Sequence, residues 1–183
     1  VQRGQRRPDY GFFPSEDAAR DAFSRKKEGG DFYKDAIAVA DAKRWGRPLD
    51  TRGSGEHKRD FENPSYQIHV YLQETLAQWA VLTDGKKWRL YGTKDYETQT
   101  YYEVDLPEIL ESGNLEAFKY FYVFFRPGAF VETAGSSFLD DVWSESETAA
   151  QELGADLQDN VFRALRVLGK GFVESNDLEI DPN

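Results

Sequence analysis

Cysteine is absent from the 183 residues. That removes disulfides, thiolate zinc sites and cysteine nucleophiles together. Two histidines, His57 and His69, are too few for most histidine-built metal centres. No apolar run approaches the roughly 18 residues that a membrane-spanning helix needs, and nothing at the start has the charged, apolar and small-residue zones of a signal peptide. The expected setting is therefore cytoplasmic, with no membrane partner. Methionine is missing even at position 1, so the chain is expected to begin inside a longer gene product or after trimmed residues. Internal repeats and low-complexity tracts are also lacking.

What is present suffices for a core. The chain is 39% hydrophobic and 15% aromatic, a composition that fits one domain, or one domain with a helical appendage. Its net charge of −10 is unevenly spread. Lys and Arg outnumber Asp and Glu 14 to 11 in residues 1–60, and are outnumbered 9 to 22 in residues 61–183. A basic first third joined to an acidic remainder points to a local anion-binding face. The acidic excess also fits a halophilic source, where salt screens self-repulsion.

Taken in order, Pro8–Phe13 reads as a strand with proline at its start. Ser15 fits an N-cap for a helix to about Lys27, stopped by Gly29-Gly30. Ala36–Ala40 is a short apolar run that reads as a buried strand. Residues 46–62 form a long loop without periodicity. Asn63-Pro64 starts a helix over Ser65–Gln78, with Ile68, Leu72 and Leu76 on one face and Val70 widening it. Residues 80–104 read as an antiparallel meander turning at Asp84-Gly85. Helices follow at Pro107–Ser112, at the aromatic stretch Leu115–Phe125, whose spacing suits core packing, in a region begun by Ser137–Val142, and at Ser146–Leu168. The last is expected to be interrupted or strained at Gly154 and loosened at Gly169 and Gly171.

The central stretch is Ala36–Asp50, AIAVADAKRWGRPLD. Asp41 and Lys43 lie two apart and so leave the same face of a strand. Charges at the end of a buried strand are costly unless paired, liganded or working. With Asp9 on one strand and Asp41 on another, two carboxylates repel unless a divalent cation neutralises them. Mg²⁺ is typically held by one or two carboxylates with water and phosphate oxygens, and the Ala42 backbone carbonyl would add a ligand. Lys43 would serve the attacking water or the developing charge. Gln67 and Tyr71, four apart on the following helix, face the same way. Arg44, Arg47, Arg52, Lys58 and Arg59 form a basic loop suited to phosphates.

Pro8-Asp9 followed by Asp41-Ala42-Lys43 resembles the PD-(D/E)XK nuclease signature. Gln67-Ile68-His69-Val70-Tyr71 resembles the QxxxY helix motif of its RecB-like branch. AKRWGRPLD, NPSYQIHVYL and WAVLTDGKKWRLY together resemble the N-terminal nuclease region of type IIG restriction–modification enzymes, over roughly residues 8–172. The resemblance implies an α/β, restriction-endonuclease-like fold: a mixed central sheet flanked by helices, with a helical C-terminal extension. It implies a nuclease core at 1–105, a helical extension or connector at 106–172 and an acidic tail at 173–183. Asp9 and Asp41 would bind Mg²⁺, with Mn²⁺ as a substitute. Lys43 would serve the water, Gln67 would steady the site, and Tyr71 would support the helix or contact DNA. The substrate would be double-stranded DNA in a prokaryotic cytoplasm, and double-strand cleavage would call for a dimer or two nicks. Recognition and methyltransferase regions, the latter using S-adenosylmethionine, would lie elsewhere in the full-length chain. This branch often has Glu where Asp41 stands. No acid upstream of Asp9 matches the one often carried by the family's first helix. The alternative is a non-catalytic DNA-binding or scaffolding domain on the same fold; an RNA-directed nuclease is a third reading.

Overall fold

The structure is a computed structural model and describes residues 7–53, 63–93 and 101–175. Five strands are assigned: β1 Tyr10–Phe12, β2 Ala38–Ala42, β3 Trp79–Thr83, β4 Lys87–Gly92 and β5 Tyr102–Asp105. The helices are α1 Glu16–Lys27, α2 Pro64–Thr75, α3 Leu106–Ser112, α4 Leu115–Phe125 and α5 Phe138–Ser175. The strands form one mixed α/β sheet in the order β1-β2-β3-β4-β5. β1 is antiparallel to β2, β2 is parallel to β3 through α2, and β4 and β5 continue antiparallel. The chain divides into two units, Val1–Phe138 and Leu139–Asn183.

β2 lies between β1 and β3 because its AVADA sequence offers small side chains to both faces. Val39 joins the core beneath α2, with Ile68, Tyr71 and Leu72 from the helix and Ala80, Leu82 and Tyr91 from the sheet. Each such large apolar side chain removed from water contributes about 1.5–3 kcal/mol. On the opposite face the strands meet the aromatic helix. Trp88 packs edge-on against Phe121 and Phe125, and Tyr102 stacks on Phe124 at 4.5 Å. α4 is thus a half-covered aromatic helix: Tyr120 and Tyr122 on its other side are exposed. Core packing accounts for only one of its faces.

The local signals act where the sequence puts them. Ser15 caps α1 by accepting from the Ala18 amide, and Asn63 caps α2 by accepting from the Tyr66 amide, with Pro64 as the first helical residue. Two expectations are corrected. α2 ends at Thr75, not Gln78. Thr75 Oγ1 donates to the Tyr71 carbonyl and accepts from the Ala77 amide, and Leu76 swings out at φ 59° as an exposed left-handed cap. The buried face is accordingly Ile68, Tyr71, Leu72 and Thr75. α5 runs unbroken through Gly154, Gly169 and Gly171. A helical glycine costs about 1 kcal/mol against alanine, and the strong helix formers around each one outweigh that. Leu153, Leu157, Val161, Leu165 and Leu168 are exposed along this helix. No described helix is long and apolar enough to cross a membrane.

Candidate functional site

The β1–β2 register sets the site. Tyr10 lies opposite Ala40, Gly11 opposite Val39 and Phe12 opposite Ala38. One more antiparallel step brings Asp9 opposite Asp41, so both carboxylates leave the same face. The Ala42 amide donates to Asp9 Oδ2 at 2.9 Å, fixing Asp9 at the end of β2. The Lys43 amide donates to the Thr83 carbonyl at 2.7 Å, which continues the parallel pairing and holds Lys43 on the face of Asp41.

The side chains then link into one chain. The Lys43 ammonium forms a salt bridge with Asp41 Oδ2 and donates to Gln67 Oε1 at 2.8 Å. Gln67 Nε2 donates to the Tyr71 hydroxyl. Gln67 reaches the sheet because it lies in the first turns of α2, whose start is fixed twice: by the Asn63 cap and by the Ser65 amide donating to the Leu49 carbonyl at 2.9 Å. Asp9 is exposed, Asp41 is 3% exposed and Tyr71 is buried. Tyr71 therefore supports Gln67 from within and presents no surface to DNA.

Burial pushes the Asp41 carboxyl up from 3.8 to about 6; Lys43 opposes the rise and the neighbouring Asp9 adds to it. A like charge across the strand and a low-dielectric setting both disfavour the ionised form. Asp41 Oδ2 touches the Lys43 ammonium yet lacks a hydrogen bond of good geometry. A hard cation would therefore compete with the Lys43 ammonium for this buried oxygen. The donor set fits Mg²⁺ in kind: two carboxylates and a strand-end carbonyl, all oxygen. No group of three or more His, Asp or Glu suited to a metal occurs among the described residues, so the fit is to a cation that keeps most of its ligands from water and substrate.

The basic loop divides. Arg44 and Arg52 are exposed. Arg47 is 1% exposed, and its guanidinium donates to the Pro48 carbonyl. This corrects its assignment to the phosphate face. Leu49 is drawn into the core, Gly46 turns the chain at φ 71°, and Arg47 is carried inward with that turn. Lys58 and Arg59, also expected to meet DNA, lie outside the described residues, as does His57. His69 packs edge-on against Tyr91, and burial lowers its pKa.

A buried charge cluster beside the site has no counterpart in the sequence reading. Arg89 is 3% exposed. It makes a bidentate pair with Asp50 at 2.6 and 2.8 Å, reaches Ser65 Oγ at 2.9 Å and Glu103 at 2.5 Å, and lies over the Tyr101 ring. Burial works against the guanidinium charge, but its hydrogen bonds prevail and its pKa is raised. The Arg89 hydrogen bond holds Asp50 below the usual carboxylate range. Glu103 is lowered too: burial opposes this, and Lys87 and Arg89 overcome it. The cluster ties the loop after Lys43 and the start of α2 to β4 and β5. The available signal was the alternation of Lys87 and Arg89 with Trp88 and Leu90 along β4.

Comparison of the chain with protein-family models, with curated proteins and with solved structures returns no match.

Proposed function

We propose that this chain is a Mg²⁺-dependent endonuclease domain that hydrolyses DNA phosphodiester bonds. The observation that carries the reading is the convergence of Asp9, Asp41, Lys43 and Gln67 at one strand end from three separate stretches of sequence. The sheet supports a restriction-endonuclease-like fold: an acid-bearing strand lies antiparallel to the Asp-x-Lys strand, and the Gln-bearing helix crosses over to a parallel third strand.

In this reading Asp9, Asp41 and the Ala42 carbonyl would hold the cation. Mg²⁺ bound there would supply Lewis acidity toward a phosphate oxygen and toward water. The residues of the chain do the rest. Asp41 must shed its proton, and the Lys43 ammonium beside it favours that loss. Lys43 then presents positive charge where the phosphorane charge develops. Gln67 fixes the ammonium, and Tyr71 fixes Gln67. Arg44 and Arg52 give exposed charge for the flanking phosphates. We assign the domain to a larger prokaryotic, cytoplasmic restriction–modification enzyme of a halophile. Its recognition and S-adenosylmethionine-dependent methyltransferase regions would lie elsewhere in that chain, with a dimer for double-strand cleavage.

One observation favours a non-catalytic scaffold on the same fold instead: the Lys43 ammonium sits directly on Asp41, so the site neutralises itself without a cation. Titration with Mg²⁺ or Mn²⁺, followed by the thermal midpoint, separates the two. A hydrolytic site is stabilised by the metal, and Asp9→Asn removes that gain. A scaffold shows no metal-dependent shift in either protein.

A further inference from the structure

Trp45 stands apart from the other tryptophans. Its side chain is 64% exposed, whereas Trp79 is buried and Trp88 and Trp143 are partly buried. A single exposed aromatic needs no special explanation, but this one is held in place. A Cβ on Gly85 would lie 2.6 Å from Trp45 Cε3 and 3.0 Å from Cζ3, so the indole rests directly on the backbone of the β3–β4 turn. Gly85 sits there at φ 85°. The supporting chain is pinned at two points: the Lys43 amide to the Thr83 carbonyl at 2.7 Å and the Gly46 amide to the Asp84 carbonyl at 3.3 Å. The ring is therefore pre-set, and a ligand laid on it orders little.

Charge around the ring is divided. Lys86 Nζ lies over the ring, 5.5 Å from its centroid, so a base stacking on that face would displace this flexible ammonium toward the adjoining phosphate. Arg44 precedes Trp45 with its side chain exposed. The ring also walls an open groove of about 570 Å³ whose other lining includes Asp105, Glu108 and Glu111. Those carboxylates repel a phosphate inside the groove. They accept hydrogen bonds from exocyclic amines, and an uncharged planar base is free to enter. Trp45 is two residues from Lys43, so their backbones lie within about 7 Å.

We propose that Trp45 is a stacking platform for one unpaired nucleobase beside the phosphodiester presented to Asp9, Asp41 and Lys43, with Arg44 and Lys86 meeting the adjoining phosphates. This rests on the nuclease reading for its location, and its chemistry is tested separately. Base–aromatic stacking is sequence-tolerant and is felt directly on truncation of the ring.

The test is a titration of the chain with a short single-stranded DNA of mixed sequence and with an abasic strand of equal length. Ca²⁺ replaces Mg²⁺, and indole emission and affinity are read together. The wild type should show quenched emission and should prefer the base-bearing strand. Trp45→Ala should bind that strand roughly 5- to 100-fold more weakly with an unmoved thermal midpoint, and Trp45→Phe should recover most of the affinity without the quenching. Equal binding of both strands by the wild type, unchanged affinity in Trp45→Ala, or no binding of either strand at low salt overturns the proposal. Equal binding of both strands by a wild type that still cleaves in Mg²⁺ refutes the platform alone. Stacking kept in a chain that never cleaves refutes the hydrolytic reading alone.

Discussion

Replacing Asp41 with asparagine should make the protein more stable at neutral pH. Asp41 is 3% exposed, and burial, helped by Asp9 and opposed by Lys43, raises its pKa from 3.8 to about 6. The folded value therefore lies above the unfolded one, so the native state holds this proton more tightly. The stability contributed by protonated Asp41 is fully present below the unfolded value and is lost as pH rises through about 6. A shift of about two units at 1.36 kcal/mol each amounts to about 3 kcal/mol. Asparagine has nearly the same shape, stays neutral throughout and still offers an oxygen to Lys43. The stability difference, Asp41→Asn minus wild type, should be near zero below about pH 4 and grow between about pH 4 and 6. Above that it should level off near 3 kcal/mol in favour of the variant. Urea unfolding followed by circular dichroism across this range, in chelator, measures it. Adding Mg²⁺ should then stabilise the wild type at high pH and leave the variant unmoved. A difference that is flat with pH, or a variant less stable than wild type at about pH 8, would refute the reasoning. The Asp41–Lys43 pair would then be a net structural ion pair and not a carboxylate held ionised at a cost.

Other perturbations follow from the same geometry. Arg89→Met leaves Asp50 and Glu103 without their buried partner and should cost about 3–5 kcal/mol in denaturant unfolding. Gly85→Ala meets both φ 85° and the Trp45 ring at 2.6 Å; it should destabilise by about 1–3 kcal/mol and shift the indole emission. Leu76→Gly relieves a left-handed, 84% exposed leucine and should raise stability by about 1 kcal/mol, read as a higher thermal midpoint; a lower one would count against this account of the helix end.

Much of the fold was legible where it is local. Ser15 and Asn63-Pro64 announced α1 and α2, and Asp84-Gly85 placed the β3–β4 turn. The Asp-x-Lys spacing alone put Asp41 and Lys43 on one face, and they do meet. The misses have a physical pattern. The left-handed cap of α2 is leucine, where composition leads one to expect glycine or asparagine, so the helix was drawn three residues too long. Arg47 was placed outside by its charge, because nothing in the local sequence says that Leu49 draws the loop inward. Propensity alone leads one to expect interruption or strain at Gly154, because it is weighed without the good helix formers flanking it. The Arg89 cluster joins residues 50, 65, 89 and 103, and no periodicity links positions that far apart. Non-local polar networks are set by how the sheet and loops close, which a one-dimensional pattern does not carry.

The reading depends most on Asp9, Asp41 and Lys43 acting as a single hydrolytic site. Cleavage of unmethylated plasmid DNA by this chain in Mg²⁺, with Asp9→Asn and Lys43→Ala assayed beside the wild type, tests that directly. The account predicts metal-dependent nicking by the wild type that falls by on the order of 100-fold or more in each variant, with both variants still folded. Equal cleavage by Lys43→Ala and wild type, or a wild type that neither cleaves DNA nor responds to Mg²⁺, would contradict it.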